Sequence, residues 1–142
     1  MTPAKQHTRK PAGAPKLNQL TPVLVVDAVE PGIGFWVDRF GFELTNKVPG
    51  PDGTLVFASV KRDDIEIMYQ TKASVLADGT QSAAELSGHS VALFLQVADL
   101  DAVERAITGA PMVKARHKTF YGSDEIYVRE PGGNIVGFAQ FS

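Results

Sequence analysis

Few side chains in this sequence can do chemistry unaided. There are three histidines and no cysteine. The missing cysteines exclude disulfides, thiolate zinc sites and a thiol nucleophile. No G-x-S-x-G, H-E-x-x-H or phosphate-loop pattern is present. The turn Pro131-Gly132-Gly133 joins two strands and opens no helix, so it is no phosphate cradle. The carboxylate that stands out is Glu66, in DIEIMYQ. Strand alternation puts Ile65, Ile67 and Tyr69 on one face and Glu66, Met68 and Gln70 on the other. If the Ile face packs under a helix, Glu66 and Met68 look into an open cleft. There Glu66 has two readings. It is a cleft acid that binds a cation or works as a general base, or it is a solvated or paired carboxylate.

The elements that hold these residues follow from periodicity. LTPVLVV reads as a strand, with Asp27 as the N-cap of a following helix and Pro31 in its first turn. Val29, Ile33, Trp36 and Phe40 form one helix face, so Trp36 reads as core, and Gly41 ends the helix. FELTNKV, TLVFASV and DIEIMYQ read as three strands, the last two joined by a short KRD turn. Residues 71–88 read as a polar linker with one short helix near 73–78. Then the order repeats. SVALFLQV is a strand, and Asp99 caps a helix with the stripe Leu100, Val103 and Ile107, which Gly109 stops. APMVKARHKTF, EIYVRE and NIVGFAQF are three more strands. The chain thus carries strand-helix-strand-strand-strand twice, and neither half has the core to stand alone.

A length of 142 residues suits one domain, and 44% apolar residues suffice for a core. A net charge of −2, with no basic stripe, argues against nucleic acid or an anionic membrane as partner. No apolar run reaches the roughly 18 residues of a membrane span. The expected location is the cytoplasm. Residues 1–18 are rich in Pro, Lys and Ala and read as a flexible basic tail. The remainder, 19–142, reads as one domain with modules 19–72 and 89–142 and linker 73–88.

The segments PVLVVDAVEPGIGFWVDRFGFEL, SVALFLQVADLDAVERAI and YGSDEIYVREPGGNIVGFAQF resemble the vicinal oxygen chelate superfamily, the glyoxalase / bleomycin resistance protein / dioxygenase group. The similarity covers roughly residues 20–142. It implies an α+β fold of two βαβββ modules, forming a cupped, partly open mixed barrel with the active cleft in the cupped sheet. It also implies a divalent ion held by one residue on each of four strands. Carried over, those positions are Thr21, Glu66, Ala92 and Gly137. Ala92 and Gly137 have no donor atom, and His89 could substitute for Ala92 only by a register slip that flips the strand. The expectation is therefore no metal and no other cofactor.

On that frame the cleft is lined by Glu66, Met68, Phe57, Phe94, Ile135 and the small Ala92 and Gly137, with Gly137 read as space for an organic ligand. His117, Phe120 and Tyr121 lie at or near the TFYGSD loop at the cleft mouth, where Phe120 and Tyr121 could stack on a ligand or simply pack. Glu125 and Arg129 read as a cross-strand structural pair. The expected ligand-binding set is Glu66, Met68, Phe57, Phe94, His117, Tyr121 and Gly137, with Glu66 the candidate catalytic residue. The expected function is metal-independent binding of an apolar or aromatic small molecule, cationic ones included, of the bleomycin-resistance (antibiotic-sequestering) type, by a homodimer. The alternative is a lyase, isomerase or dioxygenase of the same superfamily using Glu66 as base or metal ligand.

Overall fold

The computed structural model describes residues 12–16, 18–87 and 91–142. Most of the proposed tail (1–11 and 17) and His89 lie outside them. The first module runs β1 (Val23–Val26), α1 (Glu30–Phe40), β2 (Glu43–Pro49), β3 (Leu55–Arg62) and β4 (Ile65–Thr71). Two short helices follow, α2 (Lys72–Asp78) and α3 (Ala83–Leu86). The second module repeats the first with β5 (Ala92–Gln96), α4 (Leu100–Ala106), β6 (Met112–Lys118), β7 (Ser123–Arg129) and β8 (Ile135–Phe141).

The strands form two four-stranded mixed sheets, ordered β1-β4-β3-β2 and β5-β8-β7-β6, and do not close into a barrel. In each sheet the first strand of the module pairs parallel with the last, and the other pairings are antiparallel. Alternation sends Ile67, Tyr69, Val136 and Phe138 into one core shared by both modules, together with Trp36 of α1 and Leu100 and Val103 of α4. The opposite sheet faces, which carry Glu66, Met68, Ala92 and Phe94, point away from that core.

Three contacts lock the halves together. Phe40 stacks on Phe138 with centroids 5.3 Å apart. Arg39 Nη1 donates to the carbonyls of Ala106 and Thr108 at the end of α4, at 3.1 and 2.7 Å. A buried chain runs from Trp36 Nε1 to Tyr69 Oη (2.9 Å) and from Tyr69 O–H to Glu130 Oε2 (2.8 Å). Asn134 completes it by donating its backbone N–H and its amide to Glu130 Oε1. Burial, then the adjacent Glu130 carboxylate, drive the Tyr69 pKa upward, so the phenol remains a donor. Gly32 exists at the contact between α1 and this ring, because a Cβ there would sit 2.6 Å from Tyr69 Cε1.

Several elements differ from the sequence expectation. Asp27 does not cap α1. Val29 occupies the cap position without a side-chain bond, and Asp27 pairs with Lys72 at 3.2 Å. The hairpin between β3 and β4 turns at Asp63-Asp64, with Asp63 at φ 53, rather than over Lys61–Asp63. The linker holds a second helix, α3, closed by a reciprocal Ser82–Glu85 capping box. Asp99 caps α4 as expected, accepting from Ala102 N at 3.2 Å, and Trp36 is fully buried.

Candidate functional site

The residues expected to line one cleft are divided between two sheets. Phe57 and Met68 share the outer face of the first sheet with Glu66 and are half-buried. His117, Tyr121 and Gly137 belong to the second sheet and its β6–β7 turn. The structure brings Glu66 and Phe94 together at a crevice of about 300 Å³ between the modules, with Leu20, Pro22 and Leu93. It brings His117 and Tyr121 together at a larger cavity of about 630 Å³ on the second sheet. Met68, Phe57 and Gly137 line neither.

Glu66 is tied into a small polar knot. Gln19 Nε2 donates to Glu66 Oε1 at 2.8 Å and to Thr21 Oγ1 at 2.9 Å, and the Thr21 hydroxyl reaches the same carboxylate oxygen at 3.3 Å. The first-strand and fourth-strand positions of the metal set are thus linked through the Gln19 amide.

Gly137 requires a correction. It is buried, and a Cβ built on it would collide with the Tyr127 ring, whose Cδ2 would be 2.8 Å away. The glycine therefore makes room for Tyr127, not for a ligand. With Ala92 also lacking a donor, the four inherited positions do not fit a metal ion. Among the described residues no group of three or more His, Asp or Glu side chains could hold one.

Tyr127 leads to an organised polar group on the second sheet. Glu125, read from sequence as a partner for Arg129, is 1% exposed and accepts from three hydroxyls. Tyr121 and Ser123 donate to its Oε2 at 2.7 and 2.8 Å, and Tyr127 donates to its Oε1 at 2.8 Å. Arg129 instead donates to the Gly133 carbonyl at 2.7 Å. Burial raises the Glu125 pKa, but the three hydroxyl bonds, with the neighbouring His117 adding to them, outweigh it and leave the carboxyl below its ordinary range. The Tyr127 phenol is pushed up to about 12, by burial first and then by its bond to Glu125. Tyr121 is raised as well, chiefly by its own bond to Glu125.

His117 stands opposite Glu125 across the β6–β7 pair and lies near Tyr127, centroids 6.2 Å apart. Its Nδ1 is 2.8 Å from the Ala115 carbonyl. A carbonyl only accepts, so Nδ1 carries the proton, and in the neutral ring Nε2 is left as an acceptor. Ala92, Val113, Ile135 and the exposed Phe120 supply apolar walls, and Lys114 and Lys118 complete the lining. The signal for this cluster was in the sequence. Tyr121, Ser123, Glu125 and Tyr127 recur with period two, which places four hydrogen-bonding groups on one face of a strand and the turn before it.

Comparison with known proteins agrees with this architecture. The uncharacterized protein Mb0911c of Mycobacterium bovis is 32% identical over 124 residues, covering 85% of this chain and 82% of its own. The fold matches the lactoylglutathione lyase of Agrobacterium tumefaciens with a TM-score of 0.66, 18% identity and coverage of 89% and 96% of the two chains. It also matches the bleomycin-binding protein of Streptomyces verticillus, solved with copper(II)-bleomycin, with a TM-score of 0.60, 23% identity and coverage of 91% and 100%. The sequence profile of the Glyoxalase/Bleomycin resistance protein/Dioxygenase superfamily matches residues 16–138, and the chain belongs to that superfamily.

Proposed function

We propose that this protein binds an apolar or aromatic small molecule without a metal ion, in the manner of the superfamily's drug-binding members. The observation that carries the reading is the cavity over Glu125. It is an open space of about 630 Å³ with aromatic and aliphatic walls and a polar floor whose hydrogen bonds are already made. That composition is typical of a small-molecule site, and a floor satisfied in advance needs little rearrangement to bind. The ligand-binding set then gains Glu125 and Tyr127 beside His117 and Tyr121. Phe94 and Glu66 line the smaller crevice, Met68 and Phe57 lie beside Glu66 on the same open sheet face, and Gly137 contributes by seating Tyr127.

The reading includes a homodimer. Both outer sheet faces are open in the single chain, and Val23, Phe94 and Val113 expose 44%, 49% and 43% of their surface. Apolar area of this kind on sheet faces fits a partner surface, and a second copy can cover the first-module face of one chain with the second-module face of another. A thermal-shift screen of aromatic and cationic organic compounds tests the binding. A ligand present well above its Kd raises the melting temperature by mass action. A panel without a single hit would overturn the proposal.

One observation favours an enzymatic alternative, in which Glu66 acts as a base or metal ligand. Glu66 is half-buried at a crevice, with Thr21 and Gln19 already directed at its carboxylate. Stoichiometric divalent metal that depends on Glu66, found by metal analysis of the purified protein, would support this reading over the first.

A further inference from the structure

The lining of the Glu125 cavity is polarised, and this specifies what it accepts. Each hydroxyl around Glu125 has its proton committed to the carboxylate. Tyr121 and Tyr127 both line the cavity, and with their protons given to Glu125 their hydroxyl oxygens remain only as acceptors. Beneath them is an ionised carboxylate, 1% exposed. A floor of this kind rejects carbonyls and carboxylates and takes a group that brings its own protons and a positive charge. The rings of Phe120, Tyr121 and Tyr127 add aromatic faces to which an organic cation is attracted.

The rim has the opposite sign. Lys114 lies on edge strand β6 opposite Tyr127 and makes no ion pair among the described residues. Lys118, the other cavity lysine, is engaged by Asp124 at 3.4 Å. Among the described residues Lys114 is therefore an unpaired positive charge, on the same face as the acceptor floor. A purely cationic ligand would meet repulsion there, and a purely anionic one would meet the floor.

We infer that the site takes a small aromatic zwitterion, with its protonated amine on the Tyr121–Glu125–Tyr127 floor and its anionic group toward Lys114. This rests on the small-molecule reading of the same cavity and names the ligand class.

Three probes with one ring in common separate the contributions: tyrosine (amine and carboxylate), tyramine (amine only) and 3-(4-hydroxyphenyl)propionate (carboxylate only). Calorimetric titration of the full chain should rank tyrosine tightest, tyramine next and the propionate weakest. Lys114→Ala, a change at an exposed side chain, should weaken tyrosine severalfold and leave tyramine equal or tighter. Tyr127→Phe and Tyr121→Phe should each weaken both amines about tenfold, as expected for loss of an acceptor to a charged donor. They should leave the propionate unchanged. Circular dichroism of each variant checks that it is folded. Propionate binding as tightly as tyramine, or Lys114→Ala weakening tyramine, would overturn the inference. If none of the three binds while other aromatic compounds raise the melting temperature, the zwitterion assignment fails and the small-molecule reading stands. If nothing binds, both fail.

Discussion

At the scale of single residues, Gly137 and Glu125 decide the character of the second sheet. The two are coupled through Tyr127, whose ring covers the glycine and whose hydroxyl holds the acid. Gly137→Ala should therefore act on both. The added Cβ displaces the ring, and overpacking of this kind costs about 1–3 kcal/mol. Urea unfolding will show the loss as a lowered midpoint, and an unchanged midpoint would mean that the ring moves freely. Glu125 gives a pH dependence of determined sign. Its folded pKa lies below the unfolded value of about 4.3, so the ionised form stabilises the fold above that pH. The contribution is lost as pH falls through the lower folded value. Wild type should exceed Glu125→Gln in stability at pH 7 by a margin that narrows toward pH 3, as read by urea midpoints at a series of pH values. A margin independent of pH would show that the carboxylate carries no linked proton. Alternation assigned Glu125 and Tyr127 to one face, but it says nothing of what covers that face. The three hydroxyl partners make sense of a buried acid only once the ring over Gly137 is seen.

At the scale of elements, the two modules offer an internal control on capping. In each module the long helix follows a strand and then an aspartate, Asp27 or Asp99, and the sequence treats the pair alike. The structure does not. Asp99 holds the N-terminus of α4 by its carboxylate, whereas α1 starts three residues beyond Asp27, with Pro31 in its first turn. Asp99→Ala should cost about 1 kcal/mol, the usual value of a lost N-cap. Asp27→Ala should cost only a few tenths of that scale, because its ion pair with Lys72 is exposed. Differential scanning calorimetry of the two variants measures the contrast, and equal losses would contradict the cap assignment. The strands were legible for a physical reason. Their alternation is enforced by a core on one side only, so Val136 and Phe138 had to oppose Ile135 and Gly137. The short α3 was not, since its capping box closes a single turn with no buried residue and so leaves no apolar period.

At the scale of the molecule, the duplication was legible and the arrangement of its halves was not. Repeated β and α periods reveal two modules, but they do not show that the site faces turn outward. That depends on the contacts at the joint. Tyr69 and Glu130 meet across 61 residues of chain, and Arg39 reaches the carbonyls that close α4. These tie the backs of the two sheets into one core, and Glu66 and Phe94 meet only at its margin. The expected single cleft thus becomes two open faces, and we propose that the second-sheet face holds an organic ligand in a paired assembly that uses no metal. Native mass spectrometry of the purified protein, before and after exposure to tyrosine and tyramine, tests this most directly. The predicted result is a two-chain species that gains one organic molecule per chain, with the gain weakened about tenfold by Tyr121→Phe or by Tyr127→Phe. A single chain that takes up none of these compounds, and carries instead one divalent ion lost on Glu66→Ala, would contradict the account.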